Sequence, residues 1–137
     1  MIVADTGAVL ALLDAKDQHH AVLRALYEER PHAWLLPWAI LPEVDYLTLT
    51  HLGAKVEQAF LEDLAEGVFR VDLGEPNDFD RARDLCAKYK SLRFGLVDAI
   101  VMAVAERRKA LAIATLDLRD FGAVKLKRNV KLLPRDL

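Results

Sequence analysis

The sequence predicts an α/β protein with a mostly parallel sheet and helices on both of its faces. Three observations predict it. Short apolar runs alternate with longer helical stretches, giving strand, helix, helix three times over and then strand, turn, strand. Alternation of this kind buries each strand between crossover helices. Ala110-Leu111-Ala112-Ile113-Ala114 is continuously apolar, as expected of a parallel strand covered on both faces. From Leu96 to Ala105 every residue except Asp98 is apolar, so that helix is a buried one.

In chain order, Met1 to Ala4 is an apolar strand that ends at Asp5, and Thr6-Gly7 turns into an apolar helix from Ala8 to Leu13. A first strand that feeds a helix at once is expected at the centre of the sheet, where both elements find cover. His19 and His20 open a second helix with Val22, Leu23, Leu26 and Tyr27 on one stripe. Ala33 to Leu36 is the second strand, stopped by Pro37. Pro42-Glu43 opens a helix to about Leu52, with Pro in the first turn and Gly53 as its stop. A helix from Lys55 to Glu66 carries Val56, Phe60 and Leu64.

Phe69 to Leu73 alternates like a strand, and Gly74 to Asn77 is turn chemistry. Asn77 or Asp78 caps the next helix, whose Phe79, Ala82, Cys86 and Tyr89 are expected in the core. The apolar helix and strand then follow, separated by the charged turn Glu106-Arg107-Arg108-Lys109, which suits a helix C-terminus. A turn after Asp117 leads to the last strand, Val130 to Leu133, ended by Pro134.

A chain of 137 residues is read as one domain over residues 1–137, large enough to bury roughly two-thirds of its unfolded surface. A hydrophobic content of 53% excludes a disordered chain. No apolar run reaches the ~18 residues of a membrane span. The N-terminus has no Lys or Arg ahead of its apolar run and an Asp within it, unlike a signal peptide. The single cysteine, Cys86, excludes an internal disulfide and a cysteine-based zinc site. A cytoplasmic protein is expected. The net charge of -2 does not advertise nucleic-acid binding. A total conceals distribution, however: Arg81, Arg83, Lys88, Lys90 and Arg93 form one basic region, and Lys125, Lys127, Arg128 and Lys131 another.

Neither GxGxxG nor GxxxxGK occurs, which removes the glycine-rich phosphate cradles, and there is no HExxH or Cys/His cluster. What remains is a set of carboxylates. Asp5, Glu43, Asp98 and Asp117 each sit at a strand's carboxyl end or in a helix's first turn. In an open parallel sheet those positions share one edge, where ligand sites gather. Singly, each reads as a cap or turn residue, although Asp98 lacks the Glu or Gln three residues on that completes a capping box. Glu43 falls in line with Tyr46 and Leu47, a face that wants burial and on which a carboxylate needs a partner. Four carboxylates close together repel unless some protonate or a cation joins them. Oxygen-rich sites of this kind suit Mg²⁺ or Mn²⁺, which can activate water for phosphoryl displacement.

Four blocks in order, V-A-D-T-G around Asp5, P-E at Pro42-Glu43, G-L-V-D-A-I around Asp98 and T-L-D-L-R-D-F from Thr115 to Phe121, resemble the PIN-domain ribonucleases of the VapC toxin type. The resemblance spans nearly the whole chain. It implies a three-layer α/β/α sandwich around a five-stranded parallel sheet and a Mg²⁺- or Mn²⁺-dependent endoribonuclease. It also implies a VapB-type antitoxin that blocks the site, and a homodimer. Asp5 and Asp98 would then be direct metal ligands, with Glu43 and Asp117 completing the acidic pocket directly or through water. Thr6 or Thr115 would hydrogen-bond a carboxylate or a metal-bound water, and Asp120, three residues past Asp117, would share its face. Gly7 stands where the family often has Ser. The implied chemistry is attack of metal-activated water on an RNA phosphodiester, leaving a 5′-phosphate and a 3′-hydroxyl.

Two other classes share an acidic edge or this fold. A phospho-receiver domain needs paired acids after the first strand and a Lys after the last core strand, and here Asp5 is single. A catalytically inactive PIN-fold module that binds RNA or protein would keep the fold and lose the acids; all four are present, while Gly7 leaves this alternative open.

Overall fold

A computed structural model describes all 137 residues. Five strands form one parallel sheet: β1 (Ile2–Ala4), β2 (Trp34–Pro37), β3 (Arg70–Asp72), β4 (Ala112–Ala114) and β5 (Lys131–Leu133), in the order β3-β2-β1-β4-β5. Seven helices connect and cover them: α1 (Thr6–Leu13), α2 (His20–Glu29), α3 (Leu41–Leu52), α4 (Ala54–Ala65), α5 (Pro76–Lys88), α6 (Leu96–Arg107) and α7 (Leu118–Ala123). All residues of β2 and β4 are buried, so both faces of the sheet are covered, as in a three-layer sandwich.

β1 is central, as expected. Its register places Ile2 opposite Trp34 on one side and Ala112 on the other. Ala4 therefore pairs with Ala114, and the residues that follow, Asp5 and Thr115, emerge side by side at the carboxyl edge. This register builds the site.

α6 is the core helix. Ala99 to Ala105 are all buried, and the helix packs against α5, β1 and β2. Next to it, Tyr27, Trp34, Phe60 and Phe69 stack edge-to-face or tilted, with ring centroids 5.6–5.9 Å apart, and join α2 and α4 to the sheet. An ion network ties the C-terminus of α6 to β3 and α5. Arg107 donates to Asp72 at 2.6 Å and to Asp78 at 2.8 Å, and Arg108 to Asp72 at 2.6 Å. Burial would push the Asp72 carboxyl up, but the bonds from Arg107, Arg108 and the Gly74 backbone outweigh it and hold it at about 2.

Several expectations need correction. The stretch after Asp117 is a six-residue helix, α7, where only a turn was expected. Neither Asn77 nor Asp78 is the cap of α5: Glu75 is, and Asp78 closes its capping box from the third helical position. Phe79 is 64% exposed, and Ala82 and Leu85 form the buried face of α5. Tyr46, 67% exposed, shares a solvent face with the exposed Glu43. Helical spacing fixes which residues align, not which face is covered. No helix is long and apolar enough to cross a membrane.

Candidate metal centre

The site grows from the β1–β4 register. Asp5 ends β1 and caps α1: its Oδ1 accepts from the Ala8 backbone N–H at 2.9 Å. Its Oδ2 accepts a hydrogen bond from the Thr115 hydroxyl, and both residues are buried. The same Thr115 oxygen accepts from the Asp117 N–H at 3.0 Å, and Asp117 Oδ1 accepts from the Asp120 N–H at 3.1 Å. A relay of hydrogen bonds, one of them across the β1–β4 pair, thus fixes Asp5, Thr115, Asp117 and Asp120 relative to one another. For Asp5 and Asp117 the cap and the site are one arrangement.

Asp98 reaches this group from the first turn of α6. Carboxylate oxygens of Asp98, Asp117 and Asp120 all lie within 4.8 Å of one another. Unlike the other two helix-opening aspartates, Asp98 is not a cap. Gly95 holds that position and no side chain bonds the helix N-terminus. Glu43 stands outside this triad, exposed in the first turn of α3, and its charge still reaches Asp5 and Asp98. Its neighbour Asp45 turns away toward Glu57, whose carboxyl it raises.

The electrostatics are those of crowded like charges. Burial pushes the Asp5 carboxyl up to about 6, against the bonds from Thr115 and Ala8, and the charges of Asp117 and Glu43 add to the rise. Asp98 is likewise pushed up to about 6, by burial first and then by the charges of Asp5, Asp117, Asp120 and Glu43. Asp120 is raised by burial and by Asp117.

Two buried oxygens in this region have no hydrogen-bond partner, Asp120 Oδ1 and the Thr6 hydroxyl. Buried polar atoms are ordinarily satisfied, and a hydrated hard cation would satisfy them. An all-oxygen donor set with neutral-range carboxyls fits a divalent cation of the Mg²⁺ or Mn²⁺ kind. At Gly7 a side-chain Cβ would lie 3.8 Å from Asp5 Oδ1, so the position has room but no hydroxyl; those present belong to Thr6 and Thr115.

The basic regions are altered by pairing. Arg81 is bound by Glu106 at 2.6 and 3.0 Å, and Arg83 lies near Asp80 and Asp84. Arg119, which sequence reasoning passed over, sits between Asp117 and Asp120 with its Nε 3.7 Å from the Asp120 carboxylate. Its position inside the T-L-D-L-R-D-F block was the signal that could have found it.

Comparison with known proteins agrees with this geometry. The PIN domain family matches residues 2–127. Ribonuclease VapC26 of Mycobacterium tuberculosis is 31% identical over 90% of this chain and 92% of that protein. Among solved structures, Mycobacterium tuberculosis VapC20, a sarcin-ricin loop cleaving toxin, superposes with a TM-score of 0.80 at 20% identity, covering 94% of this chain and 99% of that one. A toxin–antitoxin complex from Klebsiella pneumoniae superposes at 0.70 with 20% identity, covering 90% and 92%. With a five-stranded parallel sheet, an acidic carboxyl edge and these relatives, the chain belongs to the PIN-domain family of VapC-type ribonucleases.

Proposed function

We propose that this chain is a divalent-metal-dependent endoribonuclease, the toxin of a type II toxin–antitoxin pair, with Asp5, Asp98, Asp117 and Asp120 as its metal-holding carboxylates and Glu43 at their edge. The observation that carries the reading is the meeting of Asp98, Asp117 and Asp120 within 4.8 Å, with Asp120 Oδ1 accepting no hydrogen bond and only the Arg119 Nε, 3.7 Å away, near it. Three carboxylates held that close gain from a cation what they lose to repulsion.

Mg²⁺ or Mn²⁺ bound there would activate water and offset the negative charge that develops on a cleaved RNA phosphodiester. The residues do the positioning. Thr115 holds Asp5 Oδ2 and the Asp117 backbone with one hydroxyl, so the two carboxylates keep a fixed separation. Asp98, bonded to no donor that caps its helix, keeps its oxygens free for ligation. Glu43, exposed at the rim, is free to orient water or substrate hydroxyls. The carboxyls near pH 6 set the working range: ligation needs them ionised, so activity should rise with pH through about 6.

A VapB-type antitoxin and a second copy of the chain are the protein partners of this reading. Relatives of the fold have been seen as toxin–antitoxin complexes. Trp38, Leu73, Phe79 and Leu96 are exposed around an apolar cleft of about 520 Å³ whose lining includes Val97, the residue before Asp98. Such a patch beside a site marks an interaction surface.

The test is RNA cleavage in Mg²⁺ or Mn²⁺ and in excess chelator. Cleavage is expected only with metal; Ca²⁺, less strict in geometry, should bind and support little of it. A protein that binds RNA and never cuts it, with any of these ions, would instead be the inactive module.

A further inference from the structure

A group of cations gathers on one side of the acidic centre, and it is not the set that chain order suggests. Arg81 and Arg83 are taken up by Glu106, Asp80 and Asp84. Further along, Lys90, Arg93 and Lys125 make no ion pair. Two tertiary bonds bring them together: Arg119 Nη2 donates to the Leu92 carbonyl at 3.4 Å, and the Lys125 N–H donates to the Tyr89 hydroxyl at 3.0 Å. The α5–α6 connection is thereby drawn against α7, whose first turn carries Asp120 and whose cap is Asp117.

Arg93 is held there in a left-handed conformation, φ 58° and ψ 28°. That region is uncommon for a residue other than glycine, and such residues gather at functional sites. The opposite wall, at β3 and the start of α5, exposes Leu73 and Phe79, which offer a phosphate neither charge nor donor, and Glu75, whose carboxylate repels one. The centre therefore has one cationic wall and one wall that is apolar and acidic.

We propose that Lys90, Arg93 and Lys125, with Arg119 beside Asp120 at their inner end, form a rail for the RNA backbone on the α7 side of the carboxylates, holding the phosphates that flank the scissile one. The assignment rests on the endoribonuclease reading above. In a chain of net charge -2, a polyanion can approach a carboxylate cluster only where cations outweigh it, and this is such a wall. Phosphate contacts position the strand without reading its sequence. The rail thus sets register, not target.

The experiment is the salt dependence of binding to a single-stranded RNA oligonucleotide, in Ca²⁺, with the oligonucleotide checked for integrity afterwards. Binding to single strands loses about 0.7 unit of log-log slope per phosphate contact removed. The triple variant Lys90→Ala, Arg93→Ala, Lys125→Ala is expected to flatten the slope by about two units. Arg83→Ala, the loss of one equally exposed but paired cation, should leave it unchanged. The three positions are exposed, so melting curves of the variant should match the parent's. If the parent cuts RNA in Mn²⁺ and the triple variant keeps the parent slope, the rail is overturned while the function stands. If the parent neither binds nor cuts RNA, both fall together.

Discussion

Asp98→Asn is expected to lower RNA cleavage by about 100-fold or more, since even residues that merely support a metal ligand are worth 10–100-fold. The same change should not harm the fold. Asp98 caps nothing, so the ~0.5–2 kcal/mol lost with a cap is not at stake. Its carboxylate is instead repelled by Asp5, Asp117, Asp120 and Glu43. Without metal, the variant is expected to melt at or above the parent's temperature at pH 7.5. It should gain less than the parent from added Mn²⁺, because stabilisation follows affinity for the native state.

The pH dependence has a definite sign. Asp5 and Asp98 hold protons in the folded protein up to about pH 6, and in the unfolded chain only to about 3.8. Between these values the native state binds more protons, so the metal-free protein loses stability as pH rises through that window. Melting curves from pH 4.5 to 7.5, with and without Mn²⁺, check both points. A variant that melts lower without metal and answers Mn²⁺ as strongly as the parent would make Asp98 an ordinary structural residue.

Arg107→Met should be the most damaging change away from the centre. It removes the donor to Asp72 and Asp78, whose side chains are 1% and 6% exposed. Stripping one partner from a buried ion network leaves charge uncompensated and costs about 3–5 kcal/mol. Arg108 still holds one oxygen of Asp72, which favours the lower figure, while Asp78 keeps only its bond from the Glu75 N–H. The melting temperature should fall by roughly 10 °C or more. Arg83→Ala removes the same kind of charge from an exposed pair and should shift stability by less than ~0.5 kcal/mol. Equal losses from the two would mean that burial does not govern the network.

The contrast between these arginines also shows what the sequence could carry. Alternation and apolar runs were enough to place all five strands, the core helix α6 and the edge on which the acids stand, because burial imposes those patterns locally. The four-block resemblance supplied the candidate site. What stayed hidden depends on distant partners or on which face is covered. Arg81 finds Glu106 across 25 residues of sequence, and Arg107 finds Asp72 across 35, so the free cations could not be told from the paired ones. Tyr46 and Phe79 look like core and face solvent. α7 is too short to show a period, and its cap, Asp117, reads equally well as a turn. The Thr115–Asp5 bond spans 110 residues and exists because β1 and β4 are neighbours in the sheet. Asp120 was visible as sharing a face with Asp117, and its place beside Asp98 needed the fold.

Water activated at the carboxylate centre is expected to break the RNA backbone without help from the 2′-hydroxyl. The ends of the fragments test it most directly. Cleavage in Mn²⁺ should leave 5′-phosphates, which a 5′-phosphate-dependent exonuclease degrades, and 3′-hydroxyls, which a polymerase extends. A single deoxynucleotide at the cut position should still be cleaved. Fragments that carry 5′-hydroxyls and 2′,3′-cyclic phosphates, made by a preparation whose Asp98→Asn counterpart is inert, would contradict it.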